Sequence, residues 1–541
     1  MKRCLSAGFL ILSFILLIFT VSHSRSPRLY SSFVTSQTEI EQIKSSRKQT
    51  DRQILNYISF NDYPLFYDEK TSDWFYSVNK TKPELQPTVA YSSNEDRVRI
   101  AFSARISPGK DIPFIAYTDT VYREYKLIVT TLPLVHIENP EQDYLTGIDT
   151  ETTYPIKFTV FDNRPDSHYP FVRSDATVHI RGEISRFFEK KSFRIHLTQK
   201  NVGKDISENN IPLLGMRQDG DWILYSAYND QEKIRNVFTT NLWFESCSDD
   251  NNFGLKNGSE YRFVELFWNN QYCGLYAIGY PVDTKVVNVR PDAMGHYYEF
   301  LFKQKHWGPK TDGPDPNYDG LILQHDALQT DVNNGIQLTK MYFNMLENGA
   351  KGGFWNNDEK NVIDIWLFIK LIQGSGQVNH DFPGKLRNMY ITVKQSETGS
   401  KILYTPWDLD ISWGNITNTF NPSVKNYTMP YVLDVDDNSY EMTVNPVSVL
   451  REKDPQILRL IKKRYSELRT DGWSETAIDI LLDDFEQDIF SSGAYLREME
   501  RWPEGSYEDP SLGLSVFREY VHNRLHSMDR FIDTLELSSN L

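Results

Sequence analysis

The chain is poor in cysteine and has no excess of positive charge. Three of its 541 residues are Cys, and no C-x-x-C occurs, which excludes a cysteine-built zinc site. Cys4 precedes an apolar run, where a lipoprotein cysteine would not stand. That leaves Cys247 and Cys273, which fit the core and could form one disulfide in an oxidising compartment. Lys and Arg total 58 against 73 Asp and Glu, a net charge of −15. A nucleic-acid binder normally shows a basic footprint, so no nucleic-acid partner is expected. Nucleotide binding stays open, because a metal ion can offset carboxylates. Neither G-x-x-x-x-G-K-[ST] nor G-x-G-x-x-G occurs, and Gly374-Ser375-Gly376 is too short to count as a phosphate loop. There is no G-x-S-x-G elbow and no H-E-x-x-H. Beyond the N-terminus no segment is long and apolar enough to span a bilayer.

What is present is a globular composition, 40% hydrophobic and 13% aromatic, over a length sufficient for roughly two to four domains. Residues 1–24 place Lys2 and Arg3 before an uncharged run from Cys4 to Val21. This reads equally as a signal peptide, with Ser22-His23-Ser24 as a small-x-small cleavage site, or as a membrane anchor. Either puts the rest of the chain outside the cytoplasm or in a secretory lumen. Residues 25–82 read as a polar linker and N-terminal extension. Over 83–150, RVRIAFSARI, FIAYTDTVY and YKLIVTTLPLVHIE are β-branched and aromatic runs broken by Pro and Gly, the pattern of a small β-sandwich.

From 151 to 425 the runs YPIKFTVFD, ATVHIRG, KSFRIHLT and DWILY predict strands. In KSFRIHLT, strand alternation sends Lys191 to the apolar face with Phe193, and Arg194 to the other. KIRNVFTTNLWFES predicts a helix, and residues 263–280 a hairpin turning at Asn269-Asn270. Residues 286–355 are rich in Gly, Asp and Asn and show no defined motif. Residues 361–373 carry helical apolar spacing. In the last part, 426–541, apolar positions three and four apart over 455–469, 473–490 and 511–537 predict a helical cap.

Residues 378–415 hold the chemistry. A strand from Met389, a polar turn and a strand ending near Tyr404 would bring Asp381, Asn388, Asp408 and Asp410 together. Hard oxygen donors grouped in this way suit Mg²⁺ or Mn²⁺, which hold phosphate oxygens. Residues 434–439, Asp-Val-Asp-Asp-Asn-Ser, resemble the start of a calcium loop. They lack its glycine, and Asn445 stands where the bidentate Glu belongs. With a strand lysine, the acidic hairpin makes the set that phosphoryl transfer needs.

The blocks SDATVHIRGEISRFFEKKSFRIHL (174–197), GDWILYSAYNDQEKIRNVFTTNLW (220–243), VELFWNNQYCGLYAIGYPVD (264–283), NHDFPGKLRNMYI and TPWDLDISWG come in an order that resembles the spore-coat-protein-H (CotH) kinase family. The resemblance covers roughly residues 150–425. It implies an α+β fold with an atypical protein-kinase-like core between the β-sandwich module and the helical cap. It also implies an exported enzyme that moves phosphate from ATP, with Mg²⁺ or Mn²⁺, to Ser or Thr of a surface or coat protein. By position, Asp381 matches the catalytic aspartate, Lys191 the nucleotide-phosphate lysine (with Lys190 as its rival) and Asp408 the metal aspartate. Asn388 and Asp410 match accessory ligands, and Arg235 a structural or phosphate-proximal arginine. One departure stands out: Tyr280 occupies a place where relatives commonly carry Glu. It keeps open a second reading, a pseudokinase with a structural or binding role in a coat or envelope layer. A third reading takes Asp381 and Asp408 as the paired carboxylates of a glycosidase.

Overall fold

A computed structural model of the chain describes residues 28–30, 34–79, 87–164, 167–200, 206–304, 321–325, 356–374, 388–415 and 454–536, with isolated positions between 331 and 337 and at 447. The architecture is mixed α+β, with seven α-helices among the described residues. The chain divides into two compact units.

The first unit comprises residues 1–140, 159–173 and 265–273. One of its sheets runs Arg28–Tyr30, Val89–Ser93, Leu55–Phe60, Tyr63–Pro64, all antiparallel. The other is built on the antiparallel pair Asp111–Tyr117 and Val121–Thr130. Arg99–Phe102 extends that pair on one side. On the other side Asp73–Ser77 joins in parallel, followed by the edge strand Phe66–Asp68. Both sheets send Ile58, Phe60, Phe75, Phe102, Phe114 and Leu127 into one buried cluster. Each such side chain contributes roughly 1.5–3 kcal/mol by leaving water. Phe161, Phe267 and Tyr272 complete the cluster from the later segments.

Residues 25–82, expected as linker and extension, therefore supply strands of both sheets. They also form a helix, Gln37–Ser45, that opens in a capping box. The Glu39 N–H donates to the Ser36 hydroxyl (3.3 Å), and the Ser36 N–H donates to the Glu39 carboxylate (3.0 Å). Only Ile40 of this helix is buried, so its composition reads as polar throughout.

The second unit comprises residues 141–158, 174–264 and 274–541. Ser192–Lys200 pairs antiparallel with residues 175–181 on one side and with Asp221–Tyr225 on the other. Asp221–Tyr225 pairs in turn with residues 277–279. Phe193, Ile195 and Leu197 are buried while Arg194 and His196 between them are half-exposed, which is the expected alternation. The helix Arg235–Ser246 follows. A second antiparallel sheet runs Leu321–Leu323, Phe300–Gln304, Met389–Ser396, Gly399–Pro406. The last two strands turn through Glu397 and Thr398, a tighter connection than the polar turn read from sequence.

The helix Glu359–Ile372 is buried along nearly its whole length, as an element hydrophobic on all faces must be. Its Asn361 clamps the second sheet: the amide donates to the Tyr404 carbonyl (3.0 Å) and its oxygen accepts the Tyr404 N–H (2.7 Å). The C-terminal helices are Pro455–Thr470, Glu475–Phe485, Ala494–Arg501 and Ser515–Thr534. Arg464 makes a two-pronged ion pair with the fully buried Asp364 (2.6 and 2.7 Å).

Cys247 and Cys273 are both buried and are not joined in a disulfide. No helix of the described residues is long and apolar enough to cross a membrane. The N-terminal apolar run, Asp381 and the acidic run at 434–439 lie outside the described residues.

Candidate active site

The strand pairing sets the site. Met389 faces Pro406 across the hairpin, and the Trp407 N–H donates to the Asn388 carbonyl (3.0 Å). Asn388 and Asp408 thus leave the open end of the hairpin side by side. Both have left-handed backbone, with φ of 50° and 60°, a region that Asn and Asp tolerate better than other side chains. The turn that follows is pinned to the helix Arg235–Ser246. The Leu409 N–H donates to the Asn236 amide oxygen (2.9 Å), and the Trp413 indole donates to the Thr239 hydroxyl (2.9 Å).

This docking brings Asp408 and Asp410 to the segment between the Asp221–Tyr225 strand and the helix. The Asn229 amide donates weakly to Asp410 (3.4 Å). Loss of water, with the negative charges of Asp408 and Asp230, pushes the Asp410 carboxyl up to about 8. Tyr225 feels the same field. Burial, then Asp410, Asp230 and Asp408, push its hydroxyl well above the ordinary tyrosine value. That hydroxyl is buried and has no hydrogen-bond partner among the described residues. Two close aspartates, a third nearby and an unmet hydroxyl are an arrangement short of positive charge. Mg²⁺ is commonly held by one or two carboxylates plus phosphate oxygens, so this donor set fits a phosphate-bound divalent ion.

Arg235 does not face outward. Its backbone N–H and guanidinium both donate to Asp230 (2.6 and 2.5 Å), and the guanidinium also pairs with Glu232. It therefore orients Asp230.

The two lysines of the Lys-Lys pair part company. The Lys191 ammonium donates to the carbonyls of Arg186 (2.7 Å) and Phe188 (2.5 Å). Burial lowers its pKa. Among the described residues none of its hydrogen bonds reaches the acidic turn. Lys190 is fully buried and pairs with the equally buried Glu498 (2.6 Å), while donating to the Ser226 carbonyl (2.8 Å). Gly274 makes room for this pair: its φ is +98°, and a Cβ there would collide with the Glu498 carboxylate. Tyr280, the departure noted above, lies buried with the Arg217 guanidinium over its ring at 4.3 Å. The carboxylate that Lys190 meets comes from the C-terminal helix Ala494–Arg501.

Sequence reasoning passed over Tyr225, Asn229 and Asp230, although they stand in the block that contains Arg235. It also passed over Arg181. This half-buried residue lies over the Trp407 ring (5.9 Å) and has no carboxylate or hydrogen-bond partner among the described residues. Arg181 and Asp408 both act on the Tyr261 hydroxyl, after the larger effect of burial. The Arg-Gly step at 181–182 was the available signal. Gly182 has φ +107°, and a Cβ there would collide with the Ser185 hydroxyl.

A separate trio, His196, Glu208 and Asp221, gathers potential ligand atoms within 4.8 Å of one another. Its charges are already matched. Arg194 pairs with Asp221 (3.2 Å) and Lys285 with Glu208 (2.6 Å), so it reads as an ion-pair network.

No curated protein matches the chain. A family model described as CotH kinase protein matches residues 178–528, a span that holds every element of the acidic site. The chain belongs to the CotH kinase protein family.

Proposed function

We propose that this protein is an exported, atypical Ser/Thr protein kinase that acts on a surface or coat protein. The observation that carries the reading is the Asp408–Asp410 turn held against Tyr225 and Asp230 in surroundings that strain its negative charge. Family membership supports the same chemistry.

In this reading the second unit has a kinase-like core. Asp408 and Asp410 are the metal ligands, with Asn388 as an accessory ligand. Asp381 orients the substrate hydroxyl. A divalent ion bound with ATP would neutralise the phosphate charge. The chain's own residues do the rest. Arg235 fixes Asp230, which adds negative charge behind Asp410. Arg181 offers the site an unpaired cation beside Trp407. Lys191 must exchange its two carbonyl partners for phosphate oxygens if it is the nucleotide lysine. Catalysis of this kind is almost entirely positioning and charge stabilisation.

The test is incubation of the full chain with labelled ATP, Mn²⁺ and a Ser-rich acceptor protein. Phosphate incorporation that vanishes in Asp408→Ala supports the proposal. Incorporation that persists unchanged in that variant overturns it. The tethered Lys191 ammonium and Tyr280 in the usual acidic place favour a second reading, a pseudokinase with a structural or binding role in a coat or envelope layer. That reading expects no phosphate transfer even where nucleotide raises the melting temperature.

A further inference from the structure

We propose that the first unit carries a binding site for a short neutral oligosaccharide, separate from the acidic site. A cavity of about 730 Å³ opens within this unit, inside the roughly 300–1,000 Å³ range of small-molecule sites. All of its lining residues belong to that unit.

Flat rings make up much of the wall. Phe66, Trp74 and Phe267 are buried, while Tyr57 and Phe171 are 36% and 37% exposed. Single exposed aromatics need no explanation, but two lining one cavity offer stacking faces. Trp74 packs on Tyr67 at 4.6 Å. It is 2% exposed, and its indole N–H has no hydrogen-bond partner among the described residues. That N–H has no surface open to the cavity, so Trp74 contributes wall rather than a donor.

The polar groups set the ligand's charge. Gln53, Asn56 and Asn270 line the cavity with amides. Two arginines stand against three carboxylates, Asp51, Glu69 and Glu138. Both arginines are already engaged. Arg173 donates to Glu138 (3.2 Å), and Arg123 donates to the Ser72 hydroxyl (2.6 Å) and lies over the Tyr125 ring. The cavity therefore exerts no net pull on an anion.

Gln53 is bonded to Leu55 and Tyr67, and Asn270 to Glu69. The Asp51 and Asn56 side chains have no hydrogen-bond partner among the described residues, and an acyl chain would bury them at a cost. An extended peptide would need a strand edge to extend. The edge strands here, Tyr63–Pro64 and Phe66–Asp68, are two and three residues long, and one of them carries Pro. Sugar rings meet both demands. Their C–H faces stack on aromatic rings, and their hydroxyls bond to amides and carboxylates.

Titration calorimetry of the full chain with cellotetraose, chitotetraose, maltotetraose and mannotetraose tests this. At least one should bind with a Kd below roughly 1 mM. Tyr57→Ala and Phe171→Ala should each weaken it about tenfold, with melting temperatures near wild type because both rings are already partly in water. Asp408→Ala should bind the sugar as wild type does. The proposal is overturned if none of the four binds, if binding survives both ring substitutions, if Asp408→Ala abolishes it, or if a neutral tetrapeptide displaces the sugar at equal concentration.

Discussion

Asp410 shows what the acidic turn lacks. Its carboxyl sits half-buried with two other aspartates acting on it, so its charge is tolerated at a cost until a cation arrives. Asp410→Asn should therefore raise the melting temperature of the metal-free protein while abolishing phosphate transfer. Mg²⁺ with ATP should raise the melting temperature of the wild type, by the equivalent of about 2.7 kcal/mol at a hundredfold excess over Kd. The same addition should leave Asp408→Asn unmoved. Tyr225→Phe removes a hydroxyl that has no described partner, so its stability should hold within about 1 kcal/mol while kcat falls. Thermal scans and initial rates check each outcome. That Asn388 and Asp408 come side by side was legible from sequence because one hairpin joins them. Asn229 and Asp230 were not, because Asn229 meets Asp410 across 181 positions of chain. Nor could alternation assign the lysine. Residue 191 precedes the strand, which starts at Ser192, so the period of two does not yet govern it.

At the scale of elements, the helix Ala494–Arg501 holds a strand and the segment leading into another through one carboxylate. Glu498 pairs with Lys190 and also accepts the Leu275 N–H (2.8 Å). Glu498→Gln strands a buried ammonium and should cost about 3–5 kcal/mol, whereas replacing both partners with Met should recover most of it. Urea midpoints of the three variants measure this. The helices Pro455–Thr470 and Ser515–Thr534 are joined by Asp529. Burial opposes its charge, but Arg469 and Tyr465 outweigh that and hold the carboxyl below its ordinary range. A depressed folded pKa adds stability that is present above the unfolded value and lost as pH falls through the folded one. Asp529→Asn should accordingly flatten the loss of stability between about pH 5 and pH 2, followed by circular dichroism. Helices and strands with clear periodicity were legible here, down to the Asn269-Asn270 turn. The Gln37–Ser45 helix was missed because one buried Ile gives almost no period. Its Ser36-x-x-Glu39 capping box was the readable sign.

At the scale of the molecule, neither Cys247 nor Cys273 depends on the redox state of its surroundings. Both are buried and not joined to each other, and burial pushes the Cys247 thiol up. Neither should react with a maleimide until the protein unfolds, and reductant should leave its melting temperature unchanged. The first unit draws its core from three stretches of chain, with Phe161, Phe267 and Tyr272 arriving long after residue 140. Synthesis therefore runs ahead of folding. At roughly 5–20 residues per second, the ribosome must make the 133 residues from 141 to 273 before this core can close. Its two sheets wait several seconds or more with an apolar face uncovered. That interval is a window for chaperones.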